Sequence, residues 1–470
     1  MRSKIRWFAA VVSLAAIGAG LSAQPAPAAL DWDKINQEAV EKLTEYLRMD
    51  TSNPPGNEAR GAAWLAKMFR AEGIPYDMAQ SAPGRANIVA RLKGSGAGPA
   101  LILLSHIDVV PVNREFWRVD PFAGAIRDGY IWGRGAVDMK DTGIAELMAF
   151  LLLHRSGTPL RRDVIFLATA DEEAGGDFGA GWVAKNRPQW FAGAGFLLNE
   201  GAQARADAAG KPIDFGVGVT EKTPAWVKLT AAGPAGHGSV PRPSSAVNRL
   251  VAALERLRVY EPPVEVTPPI ERALASQAPY ASEPWRSRLS DIREYAKKPE
   301  ARAELTKAPG LLALLTNTIS ITRLEGSKSI NVIPPVATAW LDCRLLPGWT
   351  AERWVQQVRR IVEDDSIRVE VVLKFPPTES PVPSPLYNAI AQAVAQMYPG
   401  AGVTQSVSTG FTDSHFFRER GITSYGFIAF ALRDADSSRA HGTDERIPVK
   451  AFTDGMRLMW EVVYNFCRKQ

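Results

Sequence analysis

Three adjacent carboxylates follow an apolar segment in the stretch FLATADEEAGG, residues 166–176. Asp171, Glu172 and Glu173 would repel one another at the end of a buried strand unless a positive charge balanced them. A divalent cation can supply that charge, because carboxylate oxygens are regular ligands of such ions. The stretch therefore suggests a metal site, whose remaining ligands must come from elsewhere in the chain.

A histidine and an aspartate occupy a similar position in LLSHIDVVP, where an apolar segment gives way to a loop. His106 and Asp108 are two residues apart, so their side chains leave the same face if the strand continues. An imidazole beside a carboxylate suits a metal ligand and the group that orients it. Two polar residues that merely cap a strand end would look the same, so this pair alone decides nothing.

Three further residues follow the same pattern. Glu200 ends the apolar segment of FLLNEGA, Asp138 lies in the glycine-containing stretch YIWGRGAVDMKD, and His441 lies in the loop RAHGTDERIPV. Each has an ordinary structural interpretation by itself, and for Asp138 it is the N-cap of the next helix. Taken together, they form a set of nitrogen and oxygen ligands placed at strand or loop ends.

The charges of this set predict a site for two metal ions. Three carboxylates against two divalent ions leave one positive charge, which a bridging hydroxide would cancel. A carboxylate has two oxygens, so Asp138 can bridge ions that lie ~3.5–4 Å apart. Glu172 then remains free beside the bridging water as a general base. Ligands without cysteine suit zinc, with cobalt or manganese as substitutes; the predicted ligands are His106, Asp138, Glu173, Glu200 and His441.

The elements around these residues alternate between strands and helices. PALILLSHIDVV and DVIFLATA are almost continuously apolar, as expected for strands covered on both faces, and MKDTGIAELMAFLLLHRSG has helical spacing. This alternation predicts an α/β domain with a largely parallel sheet. Such folds bind ligands at the carboxyl ends of their strands, where the candidate residues lie.

A different pattern runs from about residue 223 to residue 376. Strands and helices follow there in the order βαββαβ, which is typical of a ferredoxin-like unit. We therefore predict a catalytic domain in two parts, residues 30–222 and 377–470, with this second domain inserted between them. Residues 261–314 are rich in proline, alanine and charge and are predicted to form a helical cap within the second domain.

The N-terminus has the parts of a secretory signal peptide. Arg2, Lys4 and Arg6 precede a short apolar core, and the small residues LSA precede Gln24. Residues 1–23 are expected to be cleaved, which predicts a periplasmic or secreted protein. An uncleaved membrane anchor is the alternative interpretation.

Charge and cysteine content exclude other classes. The formal net charge of +5 becomes +2 when the three bases of the signal peptide are subtracted. The chain has no long basic run with interleaved aromatic residues, so nucleic acid is not expected as a partner. Its two cysteines, Cys343 and Cys467, are too few for a disulfide scaffold. Both are expected to be free thiols.

Five motifs, SHIDVVP, GRGAVDMKD, ATADEEAGG, NEG and HGTDE, resemble in this order those of the co-catalytic di-zinc peptidases. That superfamily includes glutamate carboxypeptidase, aminoacylase and succinyl-diaminopimelate desuccinylase, and the resemblance covers nearly all of the chain after the signal peptide. It implies a lid or dimerisation domain at the insertion and a cis peptide bond between Asp138 and Met139. The implied roles are His106 and Glu200 on one zinc, Glu173 and His441 on the other, Asp138 on both, Glu172 as base and Asp108 as orienter of His106.

The same resemblance implies substrate contacts. His237 in GPAGHGSVP would hydrogen-bond the developing oxyanion, often from the partner subunit of a homodimer built through the lid. Asn331 in SINVIPP would be aimed at the substrate, and Arg344 in LDCRLLPG would hold its carboxylate. A core-facing His237 and an Arg344–Asp342 ion pair are the structural alternatives.

The segment GFTDSHFFRERGI resembles a substrate loop, with Gly410 and Thr412 as candidate contacts. That loop is found in larger members such as carboxypeptidase S and the N-fatty-acyl amino acid hydrolases. Those members commonly have arginine where this chain has His415.

The expected activity is hydrolysis of an amide or peptide bond next to a free carboxylate. The substrate would be a small peptide, for a carboxypeptidase or dipeptidase, or an N-acyl amino acid. An aminopeptidase or less selective amidase of the same superfamily is the first alternative, although Arg344 argues against a site built for a free amine. A non-catalytic binding protein on this fold is the remote alternative.

Overall fold

The computed structural model describes residues 30–469. The predicted signal peptide, residues 1–23, lies outside this range. Within residues 30–469, no helix has both the length and the apolar character needed to cross a membrane. Cys343 and Cys467 are buried free thiols, as predicted.

The elements of the described residues follow one another along the chain as predicted in outline. The helices are α1 Trp32–Leu47, α2 Ala59–Ala71, α3 Lys140–Ser156, α4 Ala180–Asn186, α5 Ala246–Val259, α6 Pro268–Gln277, α7 Trp285–Ser290, α8 Ile292–Tyr295, α9 Ala301–Thr306, α10 Pro309–Leu314, α11 Ala351–Val362, α12 Pro385–Met397, α13 Ser414–Arg418, α14 Asp434–Ser437 and α15 Val449–Cys467. The strands are β1 Tyr76–Ala82, β2 Arg85–Leu92, β3 Ala100–His106, β4 Ala125–Arg127, β5 Tyr130–Trp132, β6 Val164–Thr169, β7 Ala194–Asn199, β8 Ala204–Ala206, β9 Pro212–Glu221, β10 Thr223–Ala232, β11 Gly236–His237, β12 Thr318–Glu325, β13 Val332–Ile333, β14 Val336–Leu345, β15 Arg368–Lys374, β16 Gly402–Ser408, β17 Thr423–Gly426, β18 Ala431–Leu432 and β19 Arg446–Pro448.

A large sheet forms the centre of the molecule. Its strands lie in the order β1-β2-β6-β3-β7-β17-β9-β8-β18, with β16 beside β9. The central strands β6, β3, β7 and β17 are parallel. Every residue of β3 is buried, because Leu101 and Leu103 face the core shared with α3 and α15, whereas Ile102 and Leu104 face the core shared with α4 and α13. The predicted α/β fold with a largely parallel sheet is confirmed.

A second sheet is antiparallel and has the order β12-β14-β10-β15. Helices α5 and α11 cover one face, where Leu250 and Trp354 share a core with Leu341 of β14. The elements occur in the predicted order βαββαβ, which confirms the ferredoxin-like part of the fold. Strand β12 lies at one edge of this sheet, and most of its residues are exposed.

The segment between α5 and β12 forms the helices α6 to α10. We expected a cap within the second domain, but α6 packs on the large sheet as well. Ile270 and Leu274 share a core cluster with Val407 of β16 and with Leu346, which follows β14. The helical insert, defined here as residues 268–314, therefore bridges the two sheets.

Candidate metal centre and substrate site

Three parallel strands end at one edge of the large sheet, and the first candidate residues lie at or just after these strand ends. Strand β3 ends at His106, β7 ends one residue before Glu200, and β6 ends shortly before Glu172 and Glu173. The carboxyl ends of parallel strands meet at a common edge, which brings these side chains together from distant parts of the chain.

A small sheet with the order β19-β5-β4 brings in the other two candidates. Strand β5 leads into the loop that carries Asp138, and β19 follows the loop that carries His441. The two strands pair antiparallel, with Trp132 opposite Arg446. This pairing places both loops beside the edge of the large sheet.

All five predicted ligands meet in one cluster, which forms two groups that share Asp138. In the first group, His106 Nε2 lies 3.2 Å from Asp138 Oδ1 and 3.4 Å from Glu200 Oε1. In the second group, His441 Nε2 lies 3.0 Å from Asp138 Oδ2 and 3.1 Å from Glu173 Oε2. Asp138 thus turns one oxygen toward each group. The peptide bond between Asp138 and Met139 is cis.

Burial and crowded negative charge set the pKa values of these carboxyl groups. Burial, and then the charge of Asp138, raise the pKa of Glu200 to about 7. Burial also raises the pKa of Glu173 and, well above its ordinary range, that of Glu172, with Glu200 adding to the latter shift. Hydrogen bonds to Asp138 and Glu173 raise the pKa of His441 to about 10. The cluster therefore stabilises added positive charge.

These residues fit a pair of divalent cations. His106 Nδ1 lies 2.9 Å from the carbonyl oxygen of Asp108, which can only accept, so Nδ1 carries the hydrogen and Nε2 turns its lone pair toward two carboxylates. Among the described residues, none hydrogen-bonds the buried Oε1 of Glu173. Both arrangements are favourable only when a positive charge, a proton or a metal ion, lies between the groups.

Asp108 connects the two halves of the cluster. Its carbonyl oxygen accepts from His106, and its carboxylate accepts from the backbone N–H groups of Glu172 and Glu173, each at 3.2 Å. Asn53 Nδ2 donates to the same carboxylate at 2.8 Å. Asp108 therefore orients His106 mainly through its main chain, while its side chain holds the turn that carries the two glutamates.

The third carboxylate of the opening stretch has a different partner. Asp171 forms a buried ion pair with Arg85. It also accepts from Asn53 Nδ2 at 3.0 Å and from the backbone N–H of Phe178 at 2.9 Å. Sequence reasoning missed Arg85 and Asn53, because nothing in their local sequence marks them as partners of a residue so far along the chain.

A second buried pair ties the loop of Asp138 to the loop of His441. Glu445 Oε1 accepts from the backbone N–H groups of residues 135, 137 and 138, at 3.1, 2.8 and 3.2 Å. Its other oxygen pairs with Arg134, which also donates to the carbonyl oxygen of His441 at 3.3 Å. Arg134 lies in the motif GRGAVDMKD and Glu445 in the motif HGTDE. Their proximity in sequence to the candidate ligands Asp138 and His441 could have indicated that they belong to the site.

The substrate loop lies against Arg344 at the end of β14. The Arg344 guanidinium lies 5.1 Å from the ring centroid of Phe411, and two of its nitrogens pair with the Asp342 carboxylate at 2.7 and 3.0 Å. The predicted alternative of an Arg344–Asp342 ion pair is therefore present, and it leaves Nη1 and the outer side of Nη2 for a further partner.

Hydrogen bonds to Glu221 and Ser408 hold other residues of the substrate loop in place. Thr412 donates through its N–H and its hydroxyl to Glu221, at 3.2 and 2.7 Å, and Glu221 pairs with the buried Arg418 at 2.9 Å. The N–H of Gly410 donates to the hydroxyl of Ser408 at 3.1 Å.

His415 is buried rather than open to substrate. Its ring stacks on that of Phe375, with centroids 3.6 Å apart, and its Nδ1 lies 3.0 Å from the Glu419 carboxylate. Burial lowers the pKa of His415. This side chain belongs to the aromatic packing between the two sheets.

The remaining candidates lie in the small two-stranded sheet that β11 and β13 form. We call this sheet and its neighbouring residues, 236–239 and 330–333, the lid hairpin, although its two strands come from distant parts of the chain. His237 pairs with Val332 across β11 and β13, and the carbonyl oxygen of Asn331 accepts from Gly238 at 2.8 Å. His237 and Asn331 are both exposed. The structure thus brings these two together at the surface, apart from the buried cluster, and the core-facing alternative for His237 is wrong.

Residues 102–465 match the family described as Peptidase family M20/M25/M40. The chain belongs to this family. The predicted resemblance is confirmed, and the chain is a hydrolase of the metallopeptidase and amidohydrolase type. The M20 family is metal-dependent, in agreement with the two groups of candidate ligands.

The chain is similar to two relatives in sequence and to one solved structure in fold. It is 30% identical to the N-fatty-acyl-amino acid synthase/hydrolase PM20D1 of Homo sapiens over 390 residues, which are 79% of this chain and 75% of the human protein. It is 28% identical to the probable carboxypeptidase S-like 2 of Dictyostelium discoideum over 382 residues, 78% of this chain and 71% of that protein. The M20 family metallo-carboxypeptidase Sso-CP2 from Sulfolobus solfataricus has the same fold, with a TM-score of 0.69 at 21% identity over 91% of this chain and 99% of that one.

Proposed function

We propose that the protein is a di-zinc amidohydrolase that cleaves an amide bond next to a free carboxylate. The observation that carries this proposal is the pair of ligand groups that share Asp138, with Glu172 close enough for the charge of Glu200 to raise its pKa. Carboxypeptidase and N-acyl amino acid hydrolase activities both fit this description, and the relatives PM20D1 and carboxypeptidase S-like 2 are named for activities of these kinds.

The ligand set favours zinc, because imidazole and carboxylate groups without cysteine are common in catalytic zinc sites. His106 and Glu200 would hold one ion, Glu173 and His441 the other, and Asp138 both. When bound, the ions would act as Lewis acids on the amide carbonyl and on water. Cobalt and manganese accept the same ligands and could substitute.

Glu172 is the proposed general base. Its backbone N–H is fixed by Asp108, and among the described residues none donates a hydrogen bond to its carboxylate. The carboxylate is therefore free to take a proton from the attacking water and to pass it to the leaving amine. Glu173, one residue on, is already turned toward His441.

Arg344 and the substrate loop would position the carboxylate of the substrate. The nitrogens that Asp342 leaves available can donate charge-assisted hydrogen bonds, and the contact with Phe411 holds the guanidinium beside Gly410 and Thr412. Asn331 would contribute a further polar contact once the lid hairpin approaches the cluster.

His237 is proposed to act from the partner subunit of a homodimer, where it would stabilise the oxyanion of the transition state. Its exposure, and the exposed apolar residues Val332, which pairs with it, and Ile330, support an interface at this edge of the lid. Export after cleavage near Ala23 remains part of the proposal.

A hydrolysis screen of the zinc-loaded protein tests the proposal. The substrates are N-acyl amino acids, N-blocked dipeptides, free dipeptides and the same compounds with an amidated C-terminus. We expect cleavage of compounds with a free C-terminal carboxylate and poor cleavage of the amidated ones. Equal cleavage of both sets would overturn the carboxylate requirement and favour a less selective amidase.

A further inference from the structure

Asp171 gives the backbone an unusual conformation directly before the proposed base. Strand β6 ends at Thr169, and the φ of Asp171 is +69°, in the left-handed region that residues other than glycine seldom adopt. The carbonyl oxygen of Asp171 accepts from the N–H groups of Ala174 and Gly176 at 3.2 and 2.7 Å. The direction in which Glu172 leaves the strand end therefore depends on how firmly Asp171 is held.

The side chain of Asp171 is held at both of its oxygens. Oδ1 pairs with Arg85 and accepts from Asn53 at 3.0 Å, and Oδ2 accepts from the N–H of Phe178 at 2.9 Å. Asp171 is buried, so water has little access to replace these partners. Of the three, Arg85 is the one that carries the positive charge that a buried carboxylate needs.

Arg85 is itself held in place by several contacts. Its Nε pairs with the buried Glu58 at 2.8 Å, and its guanidinium lies 5.3 Å from the ring centroid of Phe178. The backbone at Gly56 comes so close that a Cβ there would lie 2.5 Å from the central carbon of the guanidinium. Arg85 thus bridges two buried carboxylates with different nitrogens, Nε to Glu58 and Nη2 to Asp171.

The proposed base is held through its backbone. Within residues 30–469, the hydrogen bonds of Glu172 are made by its N–H, which donates to Asp108 at 3.2 Å, and by its carbonyl oxygen, which accepts from Gly175 at 2.9 Å. Asn53 donates to both Asp108 and Asp171. The two carboxylates that fix the backbone at Glu172 therefore belong to one network, and Arg85 supplies its positive charge.

We infer that Arg85 is a positioning residue for the proposed base and acts through Asp171. The inference rests on the proposed function, in which Glu172 takes a proton from the attacking water. Without a correctly placed charge from Arg85, the buried Asp171 carboxylate loses its counter-charge, and the left-handed turn loses its main support. The Glu172 carboxylate would then be displaced from the water, which slows the chemical step and leaves substrate binding unchanged.

Arg85→Lys tests this role, because lysine keeps the charge but cannot bridge two carboxylates with separate nitrogens. We expect kcat to fall about ten- to a hundredfold at saturating zinc, with KM unchanged. Arg91→Lys is the matched control: Arg91 lies on the same strand and pairs at 2.9 Å with Asp163, just before the start of β6 and far from Glu172 along that strand. Its kcat should stay unchanged.

Two other results would overturn the inference. If excess zinc restored the activity of Arg85→Lys, Arg85 would support the ligand Glu173 rather than the base. If Arg91→Lys lost as much activity as Arg85→Lys, the loss would reflect general weakening of the sheet.

Double variants show whether Arg85 acts through Asp171 and Glu172. Asp171→Asn should lower kcat by a similar factor, because asparagine also adopts the left-handed conformation but offers Arg85 no charge. This variant tests the inference by itself if Arg85→Lys does not fold. Adding Arg85→Lys to Asp171→Asn, or to Glu172→Gln, should cause little further loss, since residues that act as a unit have non-additive effects. Single effects that multiply in full would overturn the inference.

Hydrogen exchange separates this inference from the proposed function, because it needs no substrate. The N–H groups of Ala174, Gly176 and Phe178 donate to Asp171, so Arg85→Lys should speed exchange in residues 171–178 about tenfold, and Arg91→Lys should not. Unchanged exchange in Arg85→Lys would overturn the inference even if the protein is a hydrolase. Faster exchange, in a protein whose wild type hydrolyses none of the screened substrates, would overturn the proposed function and keep Arg85 as the residue that holds the turn.

Discussion

The metal cluster and the lid hairpin hold their functional side chains in opposite ways. In the cluster, the turn of Glu172 and Glu173 is fixed by Asp108, and the loops of Asp138 and His441 are fixed together by Glu445. In the lid hairpin, the hydrogen bonds described for the His237 ring come from Ser239, two residues away, at 3.1 and 2.8 Å.

This difference indicates where each region obtains its precision. Buried partners hold the cluster before any ligand arrives, which is the preorganisation that electrostatic catalysis needs. The lid hairpin has exposed polar and apolar side chains and would gain its order from another surface. We therefore expect single changes in the cluster to act within one subunit, and changes in the hairpin to act between subunits.

The largest effect is expected at the base. Glu172→Gln should lower kcat by a factor of ~10²–10⁴, the usual range for general acid–base catalysis, while both metals stay bound. Glu173→Gln, its matched neighbour, should instead lose affinity for one metal. Turnover and metal content by atomic emission check both; zinc lost from Glu172→Gln and kept in Glu173→Gln would reverse the two assignments.

The next effect concerns His237. His237→Ala should lower kcat by ~10²–10³, as expected for the loss of one donor to an oxyanion. Mixing inactive His237→Ala with inactive Glu172→Gln should restore part of the activity, because one site of a mixed dimer would then be intact. If sedimentation showed that the fully active protein is a monomer, His237 could not act from a partner subunit, and the proposed difference between the two regions would be wrong.

The metal ligands of the cluster were easier to predict from the sequence than the residues that hold their loops in place. Each ligand follows an apolar segment or lies in a glycine-containing loop, so strand ends could be recognised and brought to one edge by the rule for parallel sheets. The ion pairs that support the loops of these ligands, Arg85 with Asp171 and Arg134 with Glu445, join residues that are 86 and 311 positions apart in sequence. Such pairings follow from the folded arrangement and leave no local pattern.

The same limit applies to predicting the fold from the sequence. Helices and apolar central strands were predictable from periodicity, but β9 was missed. It contains Gly216 and Gly218, which weaken a strand pattern. Glycine is required at Gly218, because a Cβ there would lie 2.7 Å from the carbonyl oxygen of Gly201. The reason for the glycine is thus the close approach of a neighbouring segment, which sequence spacing does not reveal.

Arg344 lies between the two regions, on the lid but against the substrate loop. Arg344→Ala should lower kcat/KM for a free-carboxylate substrate roughly ten- to a hundredfold or more, since a charged, bidentate contact is worth ~1.5–3 kcal/mol. Arg344→Lys should recover only part of this loss, because lysine lacks the planar fork. The amidated form of the substrate is the control, and its low rate should barely change in Arg344→Ala.

A smaller effect is expected where the cluster is held from outside. Glu445→Gln should weaken metal binding about 10–100-fold, the usual cost of losing a group that orients ligands. It would remove the ion pair with Arg134 and part of the support of Asp138, so both ions should be affected. Competition with a chelator measures this, with the exposed Glu255→Gln as control. Unchanged affinity would show that the cluster is held without the Glu445–Arg134 pair.

The smallest effect on folding is expected in the lid hairpin. Ile330 is fully exposed, so Ile330→Ser should change the free energy of unfolding of the subunit by less than about 0.5 kcal/mol. If this edge of the lid is the dimer interface, the same change removes an apolar side chain buried on association and should raise the dissociation constant of the dimer about tenfold.

Val372→Ser, at an exposed site on β15 at the opposite edge of the sheet, is the matched control and should leave the dimer unchanged. Sedimentation equilibrium and denaturant titration measure the two quantities separately. Equal weakening by both variants, or by Val372→Ser alone, would place the interface elsewhere, and His237 would then have to reach a cluster by another route.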